Sequence, residues 1–302
     1  MTTEVIALPG NEIFATRLGR LLGAEIGTLA TRSFPDGETY VRIESDVHAR
    51  NAILVSTLDR PDDKTLRLLF SADAVRELGA ARVGLVAPYL AYMRQDRRFK
   101  PGEAITSKTF ADLLSRGFDW MVTVDPHLHR RSSMAEIYAI PVGVCHAAPS
   151  ISAWIRENIA NPVLIGPDVE SEQWASAVAG AAGAPFTVLD KQRHGDRDVE
   201  ITVRDIDRHL GRQPVLVDDI ISSGRTMEAA IHRLTEHGFL APAVVGVHGI
   251  FADDAFARLK AVGAGHIVSC NTVPHPSNAI DLSPLIAEAV QDMLARRSVP
   301  AR

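Results

Sequence analysis

Two adjacent carboxylates, Asp218 and Asp219, follow the apolar run Val215-Leu216-Val217 and precede Ile220-Ile221-Ser222-Ser223-Gly224-Arg225-Thr226. A strand ending in such a pair delivers acceptors to the carboxyl edge of a parallel sheet, where open α/β sheets bind ligands. Ser222–Thr226 then offers small residues, hydroxyls and closely spaced backbone N–H groups ahead of a helix. That combination suits an anion, best a phosphate monoester. The acid pair suits a sugar diol and the loop its phosphate. The plain alternative is an ordinary strand–turn–helix with solvated aspartates; the strand and helix context around the loop favours phosphate.

Other charged groups gain meaning from where they fall. His127, in Val124-Asp125-Pro126-His127, closes another apolar run. A neutral imidazole beside a carboxylate is a credible neighbour for Mg²⁺ or phosphate, although Mg²⁺ usually prefers oxygen. Lys191 and Arg193 are one residue apart, so in a strand both point to the same side and could clamp one polyphosphate. Read alone, Lys191-Gln192-Arg193 is a solvated charge run, and Arg94-Gln95-Asp96 a solvent-facing loop.

The elements that must hold these groups alternate short β-branched runs with helical segments, which predicts parallel sheets covered by helices. Expected strands are Val5–Leu8, Ile53–Ser56, Val83–Ala87, Met121–Val124, Val163–Ile165, Val215–Val217 and Val244–Val247. A helix is expected after Asn11 as its cap, with Ile13, Phe14, Leu18, Leu21 and Leu22 on one face and Gly23 near its end. Another runs from about Thr226 to His237. The strand–loop–helix–strand order around Ile53 and Val83 repeats around Val215 and Val244. This predicts a duplicated α/β domain, residues 1–145 and 146–302, with the boundary near Val142–Ser150. The first copy carries Thr57-Leu58-Asp59-Arg60-Pro61-Asp62-Asp63-Lys64 where the second has its Ser/Gly/Thr loop, so only the second keeps the anion site.

The bulk properties set limits. At 302 residues and 46% hydrophobic, the chain suffices for two ordinary globular domains. A formal charge of −5 argues against nucleic acid as main partner. No apolar run approaches a membrane span, and the N-terminus shows no secretory signal. Cys145 and Cys270 lack a Cys-x-x-Cys spacing and read as inert thiols in a reducing compartment, so the cytoplasm is expected.

The acid pair and its Ser/Gly/Thr loop resemble the phosphoribosyl-pyrophosphate motif of the type I phosphoribosyltransferase fold. Four further segments resemble the ribose-phosphate pyrophosphokinase family. Ser33-Phe34-Pro35-Asp36-Gly37-Glu38 is similar to its adenine-binding loop, although Pro-Asp-Gly is also a common turn. There Phe34 would stack on the base while Asp36 and Glu38 accept from its amino group. Arg94-Gln95-Asp96 matches the segment that serves ATP, and the match continues into Gly102–Lys108. His127 takes the place of a histidine that helps bind Mg·ATP, and Asp168, in Gly166-Pro167-Asp168, that of a second metal-associated residue. Lys191 and Arg193 match a Lys-x-Arg pair opening a mobile catalytic loop.

The resemblance implies two duplicated phosphoribosyltransferase-like domains, Mg²⁺ as cofactor and a homo-oligomer built from dimers, up to a hexamer. The implied reaction is attack of the ribose 5-phosphate 1-hydroxyl on the β-phosphorus of ATP, which releases AMP. Asp218 and Asp219 would hold the ribose diol or its metal, and Ser222, Ser223, Gly224, Arg225 and Thr226 the 5-phosphate. Lys191 and Arg193 would meet charge that develops during transfer. Pro126 replaces the usual Leu, and Arg130-Arg131-Ser132-Ser133-Met134 and Ser222 depart from the phosphate-activated members towards archaeal-type ones. A nucleobase phosphoribosyltransferase is the main rival; it would need the same loop but neither Phe34–Glu38 nor Arg94–Asp96. A non-catalytic synthase-like subunit is the other, against which the presence of His127, Lys191 and Arg193 speaks.

Overall fold

Val, Ile and Leu fill the short apolar runs, and a strand apolar on both faces of its pleat is stable only between two helical layers. The computed structural model has that arrangement; it describes residues 2–168, 171–194, 198–203 and 206–296, with the backbone alone for 190–194 and 198–203. The chain divides into two compact units, Met1–Cys145 with Ser283–Arg302, and His146–Leu282.

The first unit runs β1 (Thr3–Ala7), α1 (Glu12–Leu22), β2 (Glu25–Gly27), β3 (Leu29–Ser33), β4 (Thr39–Ile43), β5 (Asn51–Val55), α2 (Pro61–Glu77), β6 (Arg82–Ala87), α3 (Thr106–Gly117), β7 (Trp120–Val124) and β8 (Val142–Cys145). Six strands pair in parallel in the order β2-β1-β5-β6-β7-β8, while β3 and β4 form a separate antiparallel hairpin packed on α2. Every residue of β5 and β7 is buried, as central strands require.

The second unit runs α4 (Ala148–Asn158), β9 (Pro162–Gly166), α5 (Glu172–Ala182), β10 (Phe186–His194), β11 (Asp198–Val203), β12 (Gln213–Ile221), α6 (Arg225–Glu236), β13 (Ala243–Gly249), α7 (Ala255–Ala261), β14 (His266–Cys270) and β15 (Asn278–Ile280). Its sheet order is β11-β10-β9-β12-β13-β14-β15, parallel throughout except for β10 with β11. The two main sheets share a plan. In each, the chain winds outward from an inner strand to one side, then returns to wind outward to the other. The direction reverses between β1 and β5 in one sheet and between β9 and β12 in the other.

Each expected strand overlaps an observed one, with ends that differ by up to two residues apart from the longer β12. The expected Val215–Val217 strand is longer than its apolar run, because β13 keeps pairing with β12 as far as Ile221. Two expectations need correction. The segment Ser283–Ala295, expected in the second domain, forms α8, which packs on α1, β7 and β8 of the first unit. In α1 the buried positions are Ala15, Leu18 and Gly19, whereas Ile13 is 83% exposed and Leu21 44%. The sheet-facing stripe follows the 15, 18, 19 spacing, and residues 13 and 21 fall outside it. Gly23 does close the helix in the left-handed conformation, but Asn11 makes no capping bond.

Cys145 and Cys270 are free and buried. Burial, with Asp125 and Glu288 nearby, pushes the Cys145 thiol up to about 12, so it is inert at neutral pH. No described helix is long and apolar enough to cross a membrane.

Candidate active site

The point where strand order reverses opens a crevice at the carboxyl ends of the strands. In the second unit β12 pairs with β9 only as far as Leu216 opposite Ile165, but with β13 to Ile221 opposite Gly249. Asp218 and Asp219 therefore stand beyond the end of the β9 ladder. Asp168 enters from the other side, two residues after β9 ends. Ser171 folds back onto it: the Ser171 N–H donates to Asp168 Oδ1 at 3.1 Å and its hydroxyl to the Asp168 carbonyl at 2.6 Å. Gly166 makes room for this turn, since a Cβ there would lie 2.6 Å from Ser171 Oγ.

These three acids share one electrostatic site. Burial, then the charges of Asp219 and Asp168, hold the Asp218 carboxyl well above the usual carboxylate range, although the Asp219 N–H donates to Asp218 Oδ1 at 3.0 Å and opposes the shift. Three carboxylates gathered in one crevice offer the oxygen donors that a hard divalent cation prefers.

The loop expected to hold the sugar phosphate follows. Gly224, at φ +70°, turns the chain from Ser222-Ser223 into α6, whose first residues are Arg225 and Thr226. A Cβ at 224 would be strained at that φ and would lie 3.3 Å from Ala255 Cβ, so the loop needs glycine here. The Phe251 N–H donates to the Ile221 carbonyl at 3.0 Å and the Ala252 N–H to the Ser222 carbonyl at 3.0 Å, fixing the outgoing edge of the loop. The 12 residues of α6 align their peptide dipoles so that its N-terminus favours an anion.

Beyond Val188 opposite Gly166, β10 leaves β9 and continues as a hairpin with β11, which sets Lys191 opposite Ile201 and Arg193 opposite Val199. Extended backbone at 191–193 agrees with the expected strand. The side chains of Lys191 and Arg193 lie outside the described residues, as do residues 195–197 of the Gly195–Asp198 stretch expected to belong to the mobile loop.

In the first unit, the Thr106 hydroxyl donates to Gln95 Oε1 at 3.1 Å, tying the Arg94-Gln95-Asp96 segment to the start of α3. Asp96 is paired with Arg130 at 3.2 Å, its side chain only 7% exposed, and its carbonyl accepts from Arg131 Nη2 at 3.1 Å. Arg94 is exposed. His127 follows β7 in a tight turn, its N–H donating to the Asp125 carbonyl at 2.8 Å, with its ring 4.0 Å from that of His129. Both Asp125 and His127 have positive φ, 31° and 55°, a strained backbone of the sort that collects at functional sites. Phe34, Asp36 and Glu38 sit on the β3–β4 connection, which the Phe34 N–H closes onto the Glu38 carbonyl at 2.7 Å. The Arg32 guanidinium lies 4.3 Å over the Phe34 ring.

Residues 3–117 match the N-terminal domain of ribose phosphate pyrophosphokinase, and residues 133–263 the phosphoribosyl transferase domain. The ribose-phosphate pyrophosphokinase of Methanopyrus kandleri is 34% identical over 280 residues, which is 92% of this chain and 94% of that protein. That of Methanothermobacter thermautotrophicus is 32% identical over 289 residues, 95% of this chain and 100% of that protein. The chain belongs to the ribose-phosphate pyrophosphokinase family. The crystal structure of phosphoribosylpyrophosphate synthetase from Mycobacterium smegmatis shares its fold, with a TM-score of 0.86 at 24% identity over 97% of this chain and 99% of that one.

Within this pyrophosphokinase chain, the residues expected to serve sugar phosphate converge at one switch point, together with Asp168. Those expected to serve ATP lie on three separate pieces of the first unit. Asp96, expected to serve ATP, is engaged by Arg130 and Arg131. Arg130 and Arg131 carried no such signal in the sequence, where they stood out only as a departure from the family's pattern. Their link to Asp96 spans about 35 positions, beyond the reach of local spacing.

Proposed function

We propose that this chain transfers the diphosphoryl group of ATP to the 1-hydroxyl of ribose 5-phosphate, giving phosphoribosyl pyrophosphate and AMP. The observation that carries this is the β9/β12 crevice, where three carboxylates face the strand edge and a glycine-pinned loop leads into a helix N-terminus. Family membership separates a synthase from a transferase that only consumes the activated sugar.

In this scheme the ribose 1-oxygen forms a bond to the β-phosphorus, the bond from that phosphorus to the α–β bridging oxygen breaks, and AMP leaves on the bridging oxygen. The hydroxyl proton passes to solvent. Asp218 and Asp219 orient the diol, or a metal bound to it, and Ser222–Thr226 grips the 5-phosphate, so that the attacking oxygen is held in one place. Arg94 and Gln95, braced by Asp96 and α3, take the nucleotide, with Phe34, Asp36 and Glu38 on its base. Lys191 and Arg193 stabilise charge as it develops, the larger part of catalysis where no covalent intermediate is needed.

The divalent metal of this family is proposed to be Mg²⁺, held on the sugar side by Asp168, Asp218 and Asp219, with His127 proposed to meet the metal–nucleotide complex in the first unit. Bound there, Mg²⁺ would offset phosphate charge and polarise the transferred group. We place the reaction in the cytoplasm, where buried thiols such as Cys145 and Cys270 stay reduced. A homo-oligomer of at least two chains follows if Phe34–Glu38 serves a neighbouring copy's nucleotide; light scattering that found a fully active monomer would contradict it. Incubation with ATP, Mg²⁺ and ribose 5-phosphate, with chromatography of the products, tests the activity.

A further inference from the structure

The sugar-phosphate loop is backed by α7, whose positions 255, 258 and 259 fall on one face. Ala255 and Leu259 approach Gly224, as the space around a Cβ at that position shows. Between them Arg258 reaches the loop itself: its Nη2 donates to the Ser223 carbonyl at 2.6 Å. The same guanidinium lies 3.5 Å from Glu228, in the first turn of α6, and pairs with Asp254, the residue just before α7. Its side chain is 33% exposed and that of Glu228 30%, so neither is a freely solvated surface charge.

Two physical consequences follow. In a planar trans peptide the C=O and the following N–H point in opposite directions. Holding the Ser223 carbonyl toward α7 therefore turns the Gly224 N–H away from α7, to the open side of the loop. The second consequence concerns charge. Glu228 would repel a phosphate at the N-terminus of α6, and a paired guanidinium offsets it.

We propose that Arg258 is a positioning residue for the sugar-phosphate loop: it fixes the 223–224 peptide so that its N–H faces the 5-phosphate, and it screens Glu228 from that phosphate. Arg258 does not touch substrate. The fork geometry of arginine is required, because one group must meet a carbonyl and two carboxylates at once; lysine supplies the charge but not the fork. The inference rests on the assignment of Ser222–Thr226 to the 5-phosphate.

The test compares Arg258→Ala, Arg258→Lys and Gly224→Ala in the full chain. Calorimetry with ribose 5-phosphate is run beside steady-state kinetics, and urea melts confirm folding. Losing a hydrogen bond from a charged donor is expected to weaken ribose 5-phosphate binding about 10- to 100-fold in Arg258→Ala, with KM for ATP within about twofold of the parent. Arg258→Lys should fall between the two, which a purely structural role would not produce. If Arg258→Ala fails to fold, Arg258→Lys and Arg258→Gln carry the same comparison, with glutamine expected to bind ribose 5-phosphate more weakly than lysine. The proposal is overturned if the folded Arg258 variants bind ribose 5-phosphate like the parent while Gly224→Ala does not, or if both substrates weaken together. Should Gly224→Ala also leave ribose 5-phosphate binding unchanged, the loop assignment itself fails.

Discussion

Asn11 Oδ1 accepts the backbone N–H of Thr57 at 2.8 Å, while its Nδ2 donates to the carbonyls of Leu8 and Pro9. This one buried side chain stitches the end of β1 to the end of β5, at the switch point of the first sheet. Lys64 adds a second closure by donating to the Thr57 carbonyl at 3.1 Å and pairing with Asp59. The equivalent place in the second unit has three acids and the Ser222–Thr226 loop. In the first copy the same place is tied together by side chains of its own chain.

Asn11→Ala should accordingly cost stability without touching sugar recognition. Removing Asn11 deprives two buried backbone groups, the Thr57 N–H and the Leu8 carbonyl, of this partner, and each such loss is worth about 1–3 kcal/mol. Urea unfolding should show a lower midpoint at an unchanged slope, and KM for ribose 5-phosphate should stay as in the parent. A rise in that KM would place Asn11 in the site.

Asp218 leads to a prediction with a definite sign in pH. Its carboxyl is raised in the folded chain above the ordinary value of 3.8, so the folded state holds the proton more tightly than the unfolded one. Below about 3.8 this contributes nothing against folding; as pH rises above it, ionising the crowded acid costs stability, and the cost persists at neutral pH. Asp218→Asn should therefore melt higher than the parent at pH 7 without divalent metal, with the gap closing as pH falls towards 4. Added Mg²⁺ should stabilise the parent more than the variant. Activity should drop by about two orders of magnitude, the usual result of removing one transition-state contact. A variant that melts lower than the parent at pH 7 would contradict the assignment.

Much of this was legible in the sequence because it is written in local chemistry. β-Branched runs such as Val163–Ile165 and Val244–Val247 have no stable alternative to strand, and Gly224 with its neighbouring serines marks a tight turn wherever it occurs. What stayed hidden depends on contacts between distant residues. The buried face of α1 was misjudged because Ile13 and Leu21 are as apolar as Leu18, and only the sheet's position selects among them. The return of α8 to the first unit, the Asp96–Arg130 pair and the Arg258 bond to Ser223 join segments about 35 to over 130 positions apart.

Lys191 stands on the part of β10 that extends beyond its pairing with β9. A cation that meets the transferred group only at the top of the barrier affects turnover and not ground-state affinity. Lys191→Ala should lower kcat by about 10²–10³ while KM for ribose 5-phosphate changes little. Retained kcat with weakened affinity would make Lys191 a binding residue.

The most direct test of the central claim is the identity of the product nucleotide. With purified protein, ATP, Mg²⁺ and ribose 5-phosphate, chromatography should resolve AMP and phosphoribosyl pyrophosphate in equal amounts, with no ADP. ADP formed in step with a phosphorylated sugar would mean transfer of a single phosphoryl group. That result, or no turnover across varied metals and phosphate, would contradict diphosphoryl transfer by this chain.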